Sequence, residues 1–366
     1  MTNTSDGAGG PTQGPARDNA ARASDASRRA FLGLTAGGGL AAMSLLAGCT
    51  STRSADSGDG ERRRLRALFS NAGLQSTWCA LGKRTAELWG ELLGVDVVWV
   101  DGEFDPGRQR NKIEAYLLDP WDFCCVQAIQ IDSLEAPVRR LRERGVPVIS
   151  MDTLLVSLDR AREVGVWTQV TPDQVYMGES STRYLVQKIG GRGRVIHIGG
   201  LSAHSGARGR REGFERVLAE YPDVEVVGGG VRWCDWDKQK ARDTFETLLQ
   251  QFDEPIAGAF FHSDDMALAC LPALAGTRHE QMVVTAVDGQ KEGLEAVRDG
   301  RLAATTVNPV CLIHMTSLAI GQFVARGGET IDSLPLEIVT PGPLVSLESG
   351  NLEAQLYLAD PRHCLV

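Results

Sequence analysis

The sequence predicts an α/β protein whose body is two consecutive lobes, each a parallel sheet covered by helices, with a cleft between them. Three observations predict it. From Leu65 onward, short β-rich runs alternate with amphipathic stretches, the rhythm of strands joined by crossover helices. The run Phe123-Cys124-Cys125-Val126 is apolar throughout, as expected in a parallel sheet covered on both faces. The rhythm restarts near Asp173 over a similar length, and the roughly 300 residues from Leu65 on are enough for two cores.

The first unit opens with a strand over 65–69. A helix follows over 78–93, with Leu81, Leu88, Trp89 and Leu92 at helical spacing. Then come a strand over 95–100, a helix over 104–118 and a strand over 123–127. A helix over 134–144 is ended by Gly145, and a strand over 146–150 carries Pro147 at its edge. A strand over 164–169 closes the unit. The second unit has helices over 173–189, 209–220, 238–251, 265–274 and 289–298. Between them lie strands over 194–198, 224–227, 259–261, 283–287 and 303–307. A helix over 313–326 and an extended segment over 336–347 end the pattern. No internal repeat is visible in the letters.

Upstream, Arg28-Arg29 precede an apolar run, 31–46, broken by Gly37, Gly38 and Gly39. The run ends in Leu46-Ala47-Gly48-Cys49, which resembles a bacterial lipobox. Together the two motifs read as a twin-arginine (Tat) export signal, with Cys49 as the lipidated first residue of the mature chain. About 16 residues is also short for a bilayer span, which needs about 20. Residues 1–48 are thus a polar, disordered extension plus the signal, and 49–64, rich in Ser, Gly, Asp and Arg, a flexible tether. The expected location is extracytoplasmic, anchored to the cell membrane through the lipid on Cys49.

The formal charge is −9. Residues 1–48 carry four arginines against three aspartates, a net +1, so the remainder holds −10. An acidic body argues against nucleic acid, whose phosphates require a basic face. Of the eight cysteines, seven remain after Cys49, an odd number without a CxxC pair. That pattern is neither a disulfide framework nor a zinc site, and core packing is the reading for Cys124 and Cys125. The six histidines lack HxxxH or HExxH spacing, so neither a metal nor another cofactor is expected.

In open α/β sheets, ligands collect at the carboxyl ends of strands. There the sequence places Ser70-Asn71, Asp152, His262-Ser263-Asp264-Asp265, Asp288 and Asn308. Arg208 and Arg210 lie at a loop-to-helix entry, and Trp236 stands between Asp235 and Asp237. Asp152 and Asp288 are equally placed to cap helices, and Asp264 is read as a cap for the helix starting at Asp265. Gly190-Gly191-Arg192-Gly193 precedes a strand and reads as a turn, not a phosphate loop.

Several of these segments together resemble the type I periplasmic-binding-protein family, in particular the ribose-like sugar-binding components of ABC transporters. Gly145 to Asp152 resembles the strand that ends in a ligand Asp. Gly206 to Phe214 resembles the Arg-x-x-Gly-Phe element and puts its ligand Arg at Arg210. Phe261 to Ala269 resembles the Asn-Asp-x-Met-Ala-Leu-Gly element. Asp173 to Gly178 resembles the start of the second lobe, and Ala286 to Gly289 and Leu302 to Asn308 resemble two further ligand strands. The resemblance covers 65–360 and implies two lobes joined by a three-crossing hinge near 169–172, 308–309 and 340–342. The implied lobes are 65–170 with 309–340, and 171–308 with 341–360.

The resemblance also implies a ligand-binding set: Asp152, Arg210, Asp288 and Asn308 for hydroxyls, Trp78 and Trp236 for stacking, with Ser263 and Ser70. Those residue types suit a sugar, since Asp accepts from neighbouring hydroxyls, Arg and Asn donate or bridge, and aromatic faces pack on C–H groups. The chain departs from the pattern at Ser263 (Asn in the family), Thr153 (often Arg), Ser76-Thr77-Trp78 (an aromatic pair) and Asn308 (Gln in ribose binders). The implied function is non-catalytic: capture of a small sugar-like solute and delivery to an ABC permease. The alternatives are a sugar-active extracytoplasmic enzyme, with Asp152 and Asp288 as its carboxylates, and a receptor that presents its ligand to a sensor.

Overall fold

The computed structural model describes residues 63–328 and 330–365. The export motif, Cys49 and residues 49–62 lie outside the described residues. Arg63 and Arg64 are already pinned to the body: Arg63 pairs with Asp122, and Arg64 with Glu91 and Asp96.

Two sheets organise the chain. The first has six strands: β1 (Leu65–Asn71), β2 (Val95–Asp101), β3 (Phe123–Val126), β4 (Val148–Met151), β5 (Val166–Pro172) and β12 (Glu337–Thr340). Their order is β12-β5-β4-β3-β1-β2, parallel throughout. The second contains β6 (Gly193–Gly199), β7 (Val224–Val226), β8 (Arg232–Trp233), β9 (Gly258–Phe261), β10 (Val283–Asp288), β11 (Ala304–Val307) and β13 (Leu344–Ser346). Its order is β13-β11-β10-β9-β6-β7, with β8 also on β6 and only β13 antiparallel. Apart from β12, β13 and β8, both sheets follow the same doubly wound order, and each switches direction beside its first strand.

Helices cover both faces of each sheet. In the first lobe, α1 (Thr77–Leu93) and α10 (Val310–Ala325) close one face over Phe69, Phe123 and Ile149. The other face is closed by α2 (Pro106–Ala115), α3 (Glu135–Glu143) and α4 (Leu158–Val164) over Leu68, Cys124 and Val148. In the second lobe, α5 (Gln174–Lys188) and α6 (Ser205–Leu218) pack over Phe260 and Val195. Opposite them, α7 (Lys238–Gln251), α8 (Asp264–Cys270) and α9 (Lys291–Arg298) cover Phe261, Ala259 and Ile196. Cys124 and Cys125 point to opposite faces of β3 and are fully buried.

The chain passes between sheets three times: from β5 to α5, from β11 to α10, and between β12 and β13. The last passage is forced by Pro341-Gly342-Pro343, whose prolines offer no N–H to a ladder. The extended run expected over 336–347 is thus two short strands in different sheets. Three small elements were not expected: α4, β8 and α11 (Leu352–Leu358). Each is seven residues or fewer, too short for periodicity to stand out. No helix among the described residues is long and apolar enough to cross a membrane.

Candidate ligand-binding site

The carboxyl ends of both sheets face a common pocket holding about 440 Å³ of empty space. Asp152 follows β4 in a left-handed conformation (φ 57°), which Asp tolerates better than most residues. Its carboxylate gathers three amides from both lobes. Gln127 donates to Oδ2 at 2.7 Å, while Gln174 and Asn308 each donate to Oδ1 at 3.2 Å. Burial raises the Asp152 pKa, and the nearby Arg210 guanidinium and the amides pull it back.

Arg210 lies on α6, 4% exposed. Its Nε donates to Gln174 Oε1 at 2.9 Å, and its Nη1 donates to the His262 carbonyl and stands 3.3 Å from Asp288 Oδ1. The guanidinium carbon sits 5.5 Å from the Trp236 ring centroid, a cation–π distance. Gly178 lets α5 come this close to α6, since a Cβ there would lie 2.2 Å from the Arg210 carbonyl oxygen.

Asp288 ends β10 with φ 126°, another costly conformation. Gln290 Nε2 donates to its Oδ2 at 3.3 Å. Burial pushes the Asp288 carboxyl up to about 7, with Arg210 pulling down and Asp265 and Asp152 pushing further up. Asn308 follows β11, where its backbone N–H donates to the Asp288 carbonyl at 2.9 Å. A carboxylate only accepts, so the contact with Asp152 orients the Asn308 amide nitrogen toward it. The side-chain oxygen is left buried without a partner.

The aromatic residues line the same space. Trp78 opens α1 and donates from Nε1 to the Asn308 carbonyl at 3.1 Å. Trp236 (φ 61°) presses on Gly200, where a Cβ would lie 2.2 Å from the indole. The indole Nε1 is buried and unpartnered, as is Nδ1 of the neighbouring His204. Burial lowers the His204 pKa to about 3, so its ring is neutral.

Of the sequence-derived set, Asp152, Arg210, Asp288, Asn308, Trp236, Trp78 and Ser263 line the pocket; Ser70 does not. Ser70 is fully buried at the end of β1, and its hydroxyl accepts from Gln109 Nε2 at 3.0 Å. Ser263, not Asp264, is the N-cap of α8, accepting from the Met266 N–H at 3.2 Å. Asp264 is instead the first residue of α8 and fully buried. It accepts from the Thr305 hydroxyl (2.6 Å) and the Gln290 N–H (2.9 Å). Sequence reasoning missed Phe104, Gln127 and His204 as lining residues, and it named Asp265 at a strand end and Ser76 as a departure from the family pattern without assigning either to the ligand. The strand-end rule reaches Gln127 after β3 and Phe104 after β2 once it is applied to every strand.

Two buried carboxylates, one guanidinium, amides and indoles around a gap between lobes make a receptor for a small polar solute. Residues 67–313 match the family described as periplasmic binding protein domain. The chain belongs to that family. Solute binding is therefore its role. A xylitol-binding protein of Mycolicibacterium smegmatis is 24% identical over 72% of this chain and 73% of its own length. A ribose import binding protein of Bacillus subtilis is 25% identical, covering 78% of this chain and 90% of its own. A solved structure called a twin-arginine translocation pathway signal protein, from Burkholderia phytofirmans, superposes with a TM-score of 0.74. It shares 21% identity over 81% of this binding protein and 93% of that chain.

Proposed function

We propose that this binding protein captures a small hydroxyl-rich solute, a sugar or polyol, outside the cytoplasm and delivers it unchanged to an ABC permease. One observation carries the reading. Asp152, Asp288 and Asn308 from three strand ends and Arg210 from helix α6, drawn from two lobes, converge with Trp78 and Trp236 on one buried gap. Hydroxyls both donate and accept, so they satisfy the carboxylates and the unpartnered amide oxygen together. The relatives that bind xylitol and import ribose support the same ligand class. The expected result of a thermal-shift screen over pentoses, hexoses, polyols and nucleosides is a rise in Tm with a sugar or polyol, because a ligand of the folded form alone stabilises it. In Asp288→Ala, affinity for that ligand should fall at least tenfold, about 1.4 kcal/mol. No shift with any sugar or polyol would remove the reading.

In the same reading the chain is exported folded through Arg28-Arg29 and held at the membrane by lipid on Cys49. Cys49→Ala is expected to move the mature protein from the membrane fraction to the soluble extracytoplasmic fraction. The double change Arg28→Lys, Arg29→Lys should leave precursor inside the cell. Unchanged membrane association of Cys49→Ala would exclude the lipid anchor.

A further inference from the structure

The pocket carries more carboxyl groups than cations in its lining. Asp152, Asp265 and Asp288 line it, and Arg210 is the lining residue that opposes them. His204 is neutral there, and Asp264, packed behind Asp288, is a carboxyl that burial holds in its neutral form, so it adds no charge. His262, also beside Arg210, is buried and held neutral. Arg210 is itself divided between Gln174, the His262 carbonyl, Asp288 and the face of Trp236. Asp265 is held by the Thr77 N–H and hydroxyl, which are neutral donors. Among the described residues no group of three or more His, Cys, Asp and Glu is placed to hold a metal ion.

A second observation concerns hydrogen bonding. The Asn308 side-chain oxygen, on a lining residue 3% exposed, is buried without a donor. Asp288 Oδ2 receives only a 3.3 Å contact from Gln290. Against these acceptors, the unpartnered donor of the lining is Trp236 Nε1, so the surplus of acceptors is local to Asp288 and Asn308. A neutral polyol supplies donors but no charge, whereas an ammonium supplies three donors and the charge together. Trp78 and Phe104, also in the lining, add π faces that favour a cation.

From this geometry we infer that the natural solute is an amino-substituted sugar or polyol, its protonated amine seated between Asp288 and the Asn308 oxygen. The inference rests on the hydroxyl-rich ligand class proposed above and narrows it. Calorimetric titration of the mature protein at neutral pH with matched pairs tests it: glucosamine against glucose, glucamine against sorbitol, and inosamine against inositol. The expected result is that the aminated member of at least one pair binds at least tenfold tighter. Asp288→Asn should bring that ratio close to one. Equal or tighter binding of the neutral member in every pair that binds overturns the amine and leaves the sugar or polyol reading intact. So does a neutral ligand from the thermal-shift screen that binds while no aminated probe does. Failure of all sugars and polyols, aminated or not, overturns both.

Discussion

At the scale of single residues, the site is held in conformations that cost energy. Asp152, Asp288 and Trp236 all have positive φ, and Asp288 is a buried carboxylate with one weak ion pair. Its pKa lies near 7, well above the usual carboxylate range, because burial disfavours the charge. The folded state therefore holds a proton between about pH 4 and 7 that the unfolded chain has released. This residue's contribution to stability is fully present at low pH and is lost as pH rises toward 7. Buried histidines act in the opposite sense. His197 and His204 are pushed to about 3 and His314 to about 4, so the unfolded state binds their protons first as pH falls below about 6.5. A plain pH–stability curve mixes the two effects, but a comparison with Asp288→Asn cancels the histidines. The Tm of the variant relative to the native protein should climb by about 2 °C or more between pH 5 and pH 8 without ligand. A difference that does not change with pH would show that Asp288 titrates normally.

At the scale of elements, the long periodic segments were legible and the short ones were not. Helix α7 and strand β1 carry enough apolar residues at fixed spacing for periodicity alone to place them. Gly209 was read as the start of a helix that begins four residues earlier, at Ser205, because Ser-Gly-Ala-Arg-Gly has no apolar stripe. That opening turn is set by tertiary contact: Gly206 and Gly209 lie against Gln174 at the head of α5. The same limit governs the site. Asp152, Asp288 and Asn308 stand at the ends of buried, otherwise uncharged strands, where they close a run that can be read in the sequence. Phe104 and His204 sit in loops whose path depends on neighbouring elements, as in the Phe104 N–H bond to the Ala72 carbonyl. Ser70 stands at a strand end too, yet packs beneath the pocket. The strand-end rule selects a level in the fold but not the direction of a side chain.

At the scale of the whole molecule, the two lobes are in contact around the pocket through a few polar latches. The Thr77 N–H and hydroxyl at the head of α1 donate to the Asp265 carboxylate on α8, at 2.9 and 2.8 Å. On the far side of Asp152, the Leu154 N–H donates to the Ser205 hydroxyl at 2.9 Å. Such bonds exist only when the lobes approach, so they favour the closed form over the open one. Thr77 itself is not in the pocket lining, which separates closure from ligand contact. Thr77→Val keeps the shape and the backbone donor and removes one charge-assisted hydrogen bond, an interaction of about 1.5 kcal/mol. Affinity for the solute is expected to fall roughly tenfold, and the loss should appear in faster dissociation, with the association rate nearly unchanged. Because that bond is absent from separated lobes, the variant's Tm without ligand should shift less than its Tm with saturating ligand. Stopped-flow release of the bound solute decides the matter: native dissociation kinetics in Thr77→Val would mean that this contact contributes nothing to holding the solute in.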